Sequence, residues 1–362
     1  MRYPNISVII LNWNGWKETI ECLESFYQIT YSNYYVIVVD NGSEDDSIKK
    51  IKEFAEGKIK VSSKYFKYDQ SNKPIKVLEY EKEEAEAGGG RESEISNLPP
   101  SKKLILIKND KNYGFAGGNN IGIRYALKAL NPDYILLLNN DTVVDREFLN
   151  NLIKFAERDK ETGIVGPKIH YYDYDGRSDV ISFTGEDIVP WKGVGQRYGS
   201  GEIDKGQWDK PMETDKIEGS CMLIRKEVFE KVGLFDERFF CYYEETDLCF
   251  RAKKAGFKVK YCPDANIWHK VASSMGGRTS PIRIYFLARN RFLFIAKNFP
   301  EELWKHILYI AFYEFWFKLG IYSLYHKDFK ALQCYLTGLI DGCKTLVTYK
   351  IIRGQDYDSK RF

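Results

Sequence analysis

At 362 residues, with 44% hydrophobic and 29% charged side chains, the chain has the make-up of a folded globular protein. Its formal net charge of +3 is too small at this length to serve as an electrostatic footprint for nucleic acid. Seven cysteines stand without a Cys-x-x-Cys pair, which argues against a disulfide framework and against a structural zinc site. Strand-like residues begin by Ile6, where a secretory leader would carry its apolar run, so the expected compartment is the reducing cytoplasm.

Ile6 to Leu11 is β-branched and apolar, the pattern of a strand buried on both faces, and it ends at Asn12-Trp13-Asn14-Gly15. Thr19 to Tyr27 carries Ile20, Leu23, Phe26 and Tyr27 at helical spacing. Tyr35 to Val39 predicts a second strand, ending in Asp40-Asn41-Gly42-Ser43, and Ser47 to Phe54 a second helix. This βαβα opening predicts a parallel sheet with helical crossovers, the polar turns at its strand ends lying on one edge. Between about Gly57 and Lys103 the pattern degrades. Glu79 to Ser96 is strongly acidic around Gly88-Gly89-Gly90, and its composition predicts a solvated, mobile, partly disordered insertion outside the core.

The sheet resumes at Leu104 to Ile107, and a glycine-rich segment from Asn109 to Asn120 leads into a helix from about Ile121 to Leu130. Gly114, Gly117 and Gly118 let backbone approach a ligand, and the helix start offers unpaired N–H groups. Neither the Gly-x-Gly-x-x-Gly fingerprint nor the Walker loop is present. The next apolar run, Ile135 to Leu138, stops at Asn139, Asn140 and Asp141. In an open α/β sheet, ligands bind beyond the carboxyl ends of such strands, and a carboxylate between amides suits a hard cation carrying a diphosphate. A plain Asn/Asp turn has the same spelling. Arg146 to Arg158 predicts a helix and Gly163 to Ile169 a strand. His170 to Pro211 predicts long loops and short antiparallel pieces, where Trp191 and Trp208 either stack on a sugar ring or pack among the loops.

Ile217 to Ile224 predicts a strand and Lys226 to Val232 a helix. Glu244, Glu245 and Asp247 crowd the start of the helix that runs to about Gly256. Acids favour a helix N-terminus, but three within one turn exceed what capping needs, and like charges raise a carboxyl's pKa in a way that suits a general base. Lys258 to Cys262 predicts a strand with His269, one of four histidines, shortly after it. From Ile282 the chain reads as helical and aromatic, but Lys305, His306, Glu314 and Lys318 interrupt the run of about 20 apolar residues that a spanning helix needs. An interfacial helix on a membrane and a helix packed on the preceding domain both fit. Lys344, Lys350, Arg353, Lys360 and Arg361 would favour an anionic leaflet.

Six stretches carry a resemblance in fixed order: Val8 to Gly15, Val38 to Ser43, Asn112 to Gly122, Leu137 to Thr142, Glu218 to Ile224 and Phe239 to Arg251. On these the chain resembles the family 2 glycosyltransferases of the GT-A fold, particularly the rhamnosyltransferase-like branch that builds bacterial and archaeal surface glycans. The resemblance implies an α/β fold, a Rossmann-like mixed sheet flanked by helices, as a catalytic domain over residues 1–281, followed by an aromatic-rich helical appendage over 282–362. It implies that Asp40 hydrogen-bonds the nucleotide base, with Leu11, Asn12, Asn14 and Gly42 framing that pocket. Asn112, Gly117 and Asn120 would line the nucleoside and sugar, and Gly219 and Ser220 would sit beside the donor sugar or acceptor. Asn139, Asn140 and Asp141 occupy the place of the Asp-x-Asp motif, with Asn139 where the first aspartate usually stands. Asp141 would then carry most of the binding of Mg²⁺ or Mn²⁺, with His269 as a further ligand. Glu245 stands where the family usually has the aspartate of a Glu-Asp pair, the catalytic base, and Glu244 and Asp247 remain candidates. The implied activity is inverting transfer from a nucleotide-diphosphate sugar to a glycan or lipid-linked acceptor, at the inner face of the cell membrane. A sugar nucleotidyltransferase would instead carry a Gly-rich, Arg-containing loop near its N-terminus, which Asn12-Trp13-Asn14-Gly15 is not. A membrane scaffold without catalysis is the reading that Asn139 and Glu245 leave open.

Overall fold

The computed structural model describes residues 3–270 and 280–358, with side chains as far as Tyr349. Strand β1 (Ile6–Asn12), helix α1 (Trp16–Phe26), β2 (Tyr34–Asp40) and α2 (Ser47–Ala55) follow the expected βαβα order. Next come β3 (Lys76–Glu81), α3 (Lys82–Ala87), β4 (Lys103–Lys108), α4 (Gly114–Tyr125) and β5 (Tyr134–Asn139). After these lie β6 (Thr142–Val144), α5 (Phe148–Ala156), β7 (Thr162–Tyr171), β8 (Ile181–Phe183), β9 (Glu186–Val189), β10 (Val194–Arg197) and β11 (Met212–Glu213). The chain continues through β12 (Cys221–Arg225), α6 (Lys226–Val232), α7 (Glu244–Lys254), β13 (Lys258–His269) and α8 (Pro281–Asn298).

The main sheet runs β11-β13-β7-β12-β5-β1-β2-β4-β3, with β6 on β13 and β8 on β7. From β5 to β3 every pair is parallel, so Asn12, Asp40 and Asn139 end in register on one edge. Strand order reverses at β1, whose successors lie on opposite sides of it, the place where open α/β sheets bind their ligands. Val8 to Ile10, Val36 to Val39, Leu104 to Ile107 and Ile135 to Leu138 are all buried, as continuous apolar strands must be when helices cover both faces. Burying each such side chain contributes about 1.5–3 kcal/mol, which holds the polar ends of these strands on a rigid base.

The structure corrects four sequence-based expectations. The acidic segment is not a solvated insertion throughout: β3 pairs with β4 along its length, and Leu78, Tyr80, Ala85 and Ile95 are buried. Its acids line an edge strand, where Glu79 meets Lys52 at 2.6 Å and Glu81 meets Lys108 at 2.5 Å, and charge on an edge discourages pairing with other chains. Helix α4 starts at Gly114, so its glycines lie inside the helix rather than ahead of it. Strand β12 begins only at Cys221, leaving Glu218 to Ser220 as a turn. Strand β13 runs on through a bulge to His269, held between β7 and β6.

Beyond α8, an irregular helix spans Pro300–Tyr325, and a last helix, Phe329–Asp358, packs along α8. The 300–325 helix buries a narrow stripe, Leu303, His306, Ile310 and Glu314. Arg291 of α8 donates two hydrogen bonds to Glu314, at 2.9 and 2.6 Å, and His306 Nδ1 lies 3.1 Å from the Trp191 carbonyl. Of the polar residues that interrupt the apolar run, His306 and Glu314 therefore face the protein, while Lys305 is exposed. The side chains of Lys350, Arg353, Lys360 and Arg361 lie outside the described residues.

Candidate active site

At the ends of β1 and β2, Asp40 is buried and accepts hydrogen bonds from Asn12 Nδ2 (2.7 Å), Ser43 Oγ (2.7 Å) and the Ser43 amide (3.0 Å). An ionised carboxylate has about four acceptor positions, so one remains for a ligand. Asn14 closes the same turn, its amide donating to Ser43 Oγ at 2.9 Å while its side chain accepts from the Glu44 amide at 2.8 Å. Gly42 takes φ 72° against the backbone of Lys111, a place no Cβ could occupy. Asn41 joins this turn to the next, donating to Asn112 Oδ1 at 2.9 Å, while Asn112 accepts from the Gly114 amide. At Gly118 a Cβ would stand 2.6 Å from Leu11 Cδ1, so the glycine brings α4 down onto the end of β1. Gly117 lies in the first turn of α4 against Tyr113. Asn120 is committed elsewhere: it donates to the Phe235 carbonyl and Glu237 and accepts from the Phe235 amide.

At the end of β5, Asn140 turns inward to Gly15 and Thr19, and Thr19 in turn donates to Asn12 Oδ1. Asp141 faces the other way. Pairing of β6 with β13 sets Thr142 opposite His269, and this brings His269 Nε2 to 3.1 Å from Asp141 Oδ1. On its other side, His269 Nδ1 stands 3.6 Å from Glu218 Oε1. Burial alone would depress the imidazole, but Asp141 and Glu218 overcome it and push His269 up to about 10. Among the described residues no group of three His, Cys, Asp or Glu side chains is arranged to hold a metal unaided. Asp141 and His269 nevertheless fit a cation that takes its remaining ligands from substrate phosphates and water, the usual manner of Mg²⁺.

The second cluster opens α7. Phe240, Tyr242 and Tyr243 just before it have φ of 64°, 69° and 76°, a run of bulky residues in the left-handed region. Each costs of order 1–3 kcal/mol, and such strain collects at functional sites. Asn290 of α8 holds the turn, donating to the carbonyls of Phe239, Cys241 and Tyr242 at 2.8–2.9 Å. The turn delivers Glu244 and Glu245 into the interior, where the Oε2 atoms of both, and the hydroxyl of Ser220, accept or donate no hydrogen bond. Burial and the neighbouring Glu245 push the Glu244 carboxyl well above the usual range. Gly219 lies between Phe115 and Glu245, and the Ser220 carbonyl accepts from the Asn139 amide at 2.9 Å. The turn Glu218-Gly219-Ser220 therefore separates Asp141 and His269 on one side from Glu244 and Glu245 on the other. Asp247 is not part of this space: its oxygens meet Arg251, Lys297 and Asn298 at 2.7–3.0 Å and tie α7 to α8.

Four charged residues join the two clusters without having been singled out by sequence. Glu218 meets Arg197 at 3.1 Å, Arg197 meets Glu186 at 3.2 Å, and Lys216 stands 3.6 Å from Glu186 and 3.0 Å from Glu245. Although burial opposes its charge, Arg197 and His269 hold Glu218 well below the usual carboxylate range. Glu218 opens one of the stretches that carry the family resemblance, whereas nothing in the loop sequence marks Glu186, Arg197 or Lys216. Trp191 packs edge-on against Tyr309, and Trp208 packs beside Tyr198 and donates to Glu202, so both serve the loop packing.

A parallel half-sheet with polar strand ends, continued by an antiparallel strand behind an acidic turn, is the GT-A architecture. The same fold occurs in the mannosyltransferase PcManGT from Pyrobaculum calidifontis, solved with GDP-Man and Mn²⁺, at a TM-score of 0.51 and 14% identity over 96% of this chain and 88% of that one. The sequence profile "Glycosyltransferase like family 2" matches residues 93–289, more than half of the chain, and "Glycosyl transferase family 2" matches residues 7–73. The chain belongs to glycosyltransferase family 2. It is 30% identical over 211 residues to the low-salt glycan biosynthesis hexosyltransferase Agl10 of Haloferax volcanii, 58% of this chain and 66% of that protein. To the N-acetylglucosaminyl-diphospho-decaprenol L-rhamnosyltransferase of Mycobacterium tuberculosis it is 47% identical over 155 residues, 40% of this chain and 49% of that protein. The matched stretches thus span just under two thirds and about half of these relatives.

Proposed function

We propose that the protein transfers a sugar from a nucleoside diphosphate donor to a hydroxyl of a glycan or lipid-linked acceptor, inverting the anomeric centre. The observation that carries this reading is the opposition of Asp141 and His269 to Glu244 and Glu245 across the Glu218–Ser220 turn. Asp40, with its remaining acceptor position, fixes the base, and Asn12 and Asn14 hold Asp40 and its turn in place. Asp141 and His269 would hold Mg²⁺ or Mn²⁺, which supplies Lewis-acid stabilisation of the departing diphosphate. Glu245 takes the acceptor's hydroxyl proton as that oxygen bonds to the anomeric carbon, and the bond to the diphosphate oxygen breaks with its electron pair. One displacement from the opposite face inverts configuration.

The test is turnover across dTDP-rhamnose, UDP-glucose, UDP-N-acetylglucosamine and GDP-mannose, each with Mg²⁺, Mn²⁺ or chelator. L-Rhamnose, in the name of the mycobacterial relative, comes first. Metal-dependent consumption of one donor is the expected result; no binding of any donor with either metal would sink the proposal.

The same reading places the protein at the cytoplasmic face of a membrane. By length and composition the Pro300–Tyr325 helix could cross a bilayer, yet its buried stripe is bound to the protein through the Arg291–Glu314 pair. Nine large apolar residues on it are exposed, among them Trp304, Phe312, Trp316 and Tyr325. Aromatic side chains carry about 150–250 Å² each, so this face exceeds the roughly 300–600 Å² patch of an ordinary monomer. Trp and Tyr concentrate at bilayer interfaces, and the helix would lie there with its packed stripe upward. Phe312→Ser with Trp316→Ser is expected to lower partition onto anionic vesicles a hundredfold or more, at about 1.5–3 kcal/mol per side chain, with activity on a soluble acceptor kept. Equal sedimentation of variant and wild type with vesicles would count against the placement.

A further inference from the structure

Lys216 sits in the loop ahead of β12 with its side chain only 12% exposed, its ammonium 3.0 Å from Glu245 Oε1 and 3.6 Å from Glu186 Oε2. The loop is stitched to the β9–β10 hairpin. The Lys216 amide donates to the Glu186 carbonyl at 3.1 Å, the Glu186 amide to Thr214 Oγ1 at 2.9 Å, and the Ile188 amide to Asp215 at 2.9 Å. Arg197 closes the far side of Glu186 at 3.2 Å and reaches Glu218 at 3.1 Å. Charges so placed are poor devices for stability, because desolvation offsets much of their attraction and an apolar cluster of equal volume usually does as well. Their arrangement has another consequence, since an ammonium in contact favours the carboxylate form of its partner.

We infer that Lys216 is a positioning residue: it holds Glu245, rather than Glu244, as the carboxylate that faces the Gly219–Ser220 turn, and Glu186, itself held by Arg197, holds Lys216 in turn. The inference rests on the proposed role of Glu245 as base. The ionisable groups around Glu245 are Glu244 beside it, Cys241 and Tyr242 from the strained turn, Cys249 one turn along α7, Arg197 from β10, and Lys216. Of these, Lys216 and Arg197 are cationic, and Lys216 is the one in contact. The elevated Glu244 carboxyl agrees with a pair in which one proton resides on Glu244.

The test is the pH dependence of kcat in the full chain, with whichever donor the panel above identifies, for Lys216→Met and Lys216→Arg. Protonation of the base ends activity at low pH, so removing the ammonium should move the acid limb upward by about 1 pH unit or more. Lys216→Met should also lower kcat about tenfold or more, with KM for donor within about twofold because no donor contact is lost. Lys216→Arg should restore both. An active Lys216→Met with an unmoved acid limb overturns the inference and leaves the transferase reading standing. A wild type inert toward every donor overturns both. If Lys216→Met fails to fold, Lys216→Gln, which keeps a polar side chain there without the charge, must move the limb the same way, and an unmoved limb again overturns the inference.

Discussion

Asp141→Ala is expected to remove metal-dependent donor binding and to lower kcat/KM by roughly a thousandfold or more, since a Lewis acid at the leaving group is worth several kcal/mol. The reason lies in what Asp141 holds. It is buried and lies 3.1 Å from His269, while Glu218 stands on the far side of the imidazole. Without Asp141, two carboxylates become one, and a divalent cation loses the hard oxygen that suits it best. Calorimetric titration of the nucleoside diphosphate with and without Mn²⁺ checks this directly. Unchanged Mn²⁺ dependence in Asp141→Ala would remove Asp141 from the metal site. Asp141→Asn keeps the shape and loses the charge, so it should behave nearly as badly; if it behaved like the wild type, the residue would serve packing alone.

Glu245→Gln is expected to reduce kcat about 10²–10⁴-fold, the range for a positioned general base, while donor binding persists. Glu244→Gln should cost less than about tenfold. Burial and the adjacent Glu245 hold the Glu244 carboxyl well above its usual range, so it resembles the amide that would replace it. The two variants side by side decide which glutamate takes the proton. A large loss in Glu244→Gln with Glu245→Gln active would exchange their roles, and Lys216 would then have no catalytic partner. Equal losses would mean that the pair titrates as a unit and neither residue alone is the base.

Much of this arrangement is legible in the chain, and the boundary has a physical cause. Strands β1, β2, β4 and β5 could be read because a strand covered on both faces must be apolar throughout, and its polar end must then lie at the sheet edge. Strand β3 could not be read in the same way. Its buried Leu78 and Tyr80 alternate with Glu79 and Glu81 on an exposed edge, and with Lys82 and further acids following, composition obscured the period of two. The glycines of α4 read as a loop because glycine is costly inside a helix. They are tolerated there because Gly118 lets the helix close onto Leu11 and Asn41.

The candidate site divides the same way. Residue types and order along the chain determined the acids at the end of β5 and at the start of α7, because each is local to one element. Only the tertiary structure separated Asp247 from Glu244 and Glu245. Two residues along a helix turn a side chain about 200°, which sends Asp247 to Lys297 and Asn298 of α8 while Glu245 faces Lys216. Only the tertiary structure, too, assembled Glu218, Arg197, Glu186 and Lys216 into a ladder of alternating charge, for these come from a turn, a hairpin and a loop whose spacing follows no helical or strand period. Local chemistry is written in neighbouring residues. The contacts that orient it come from chain segments brought together by the sheet, and a single strand's pattern holds no record of them.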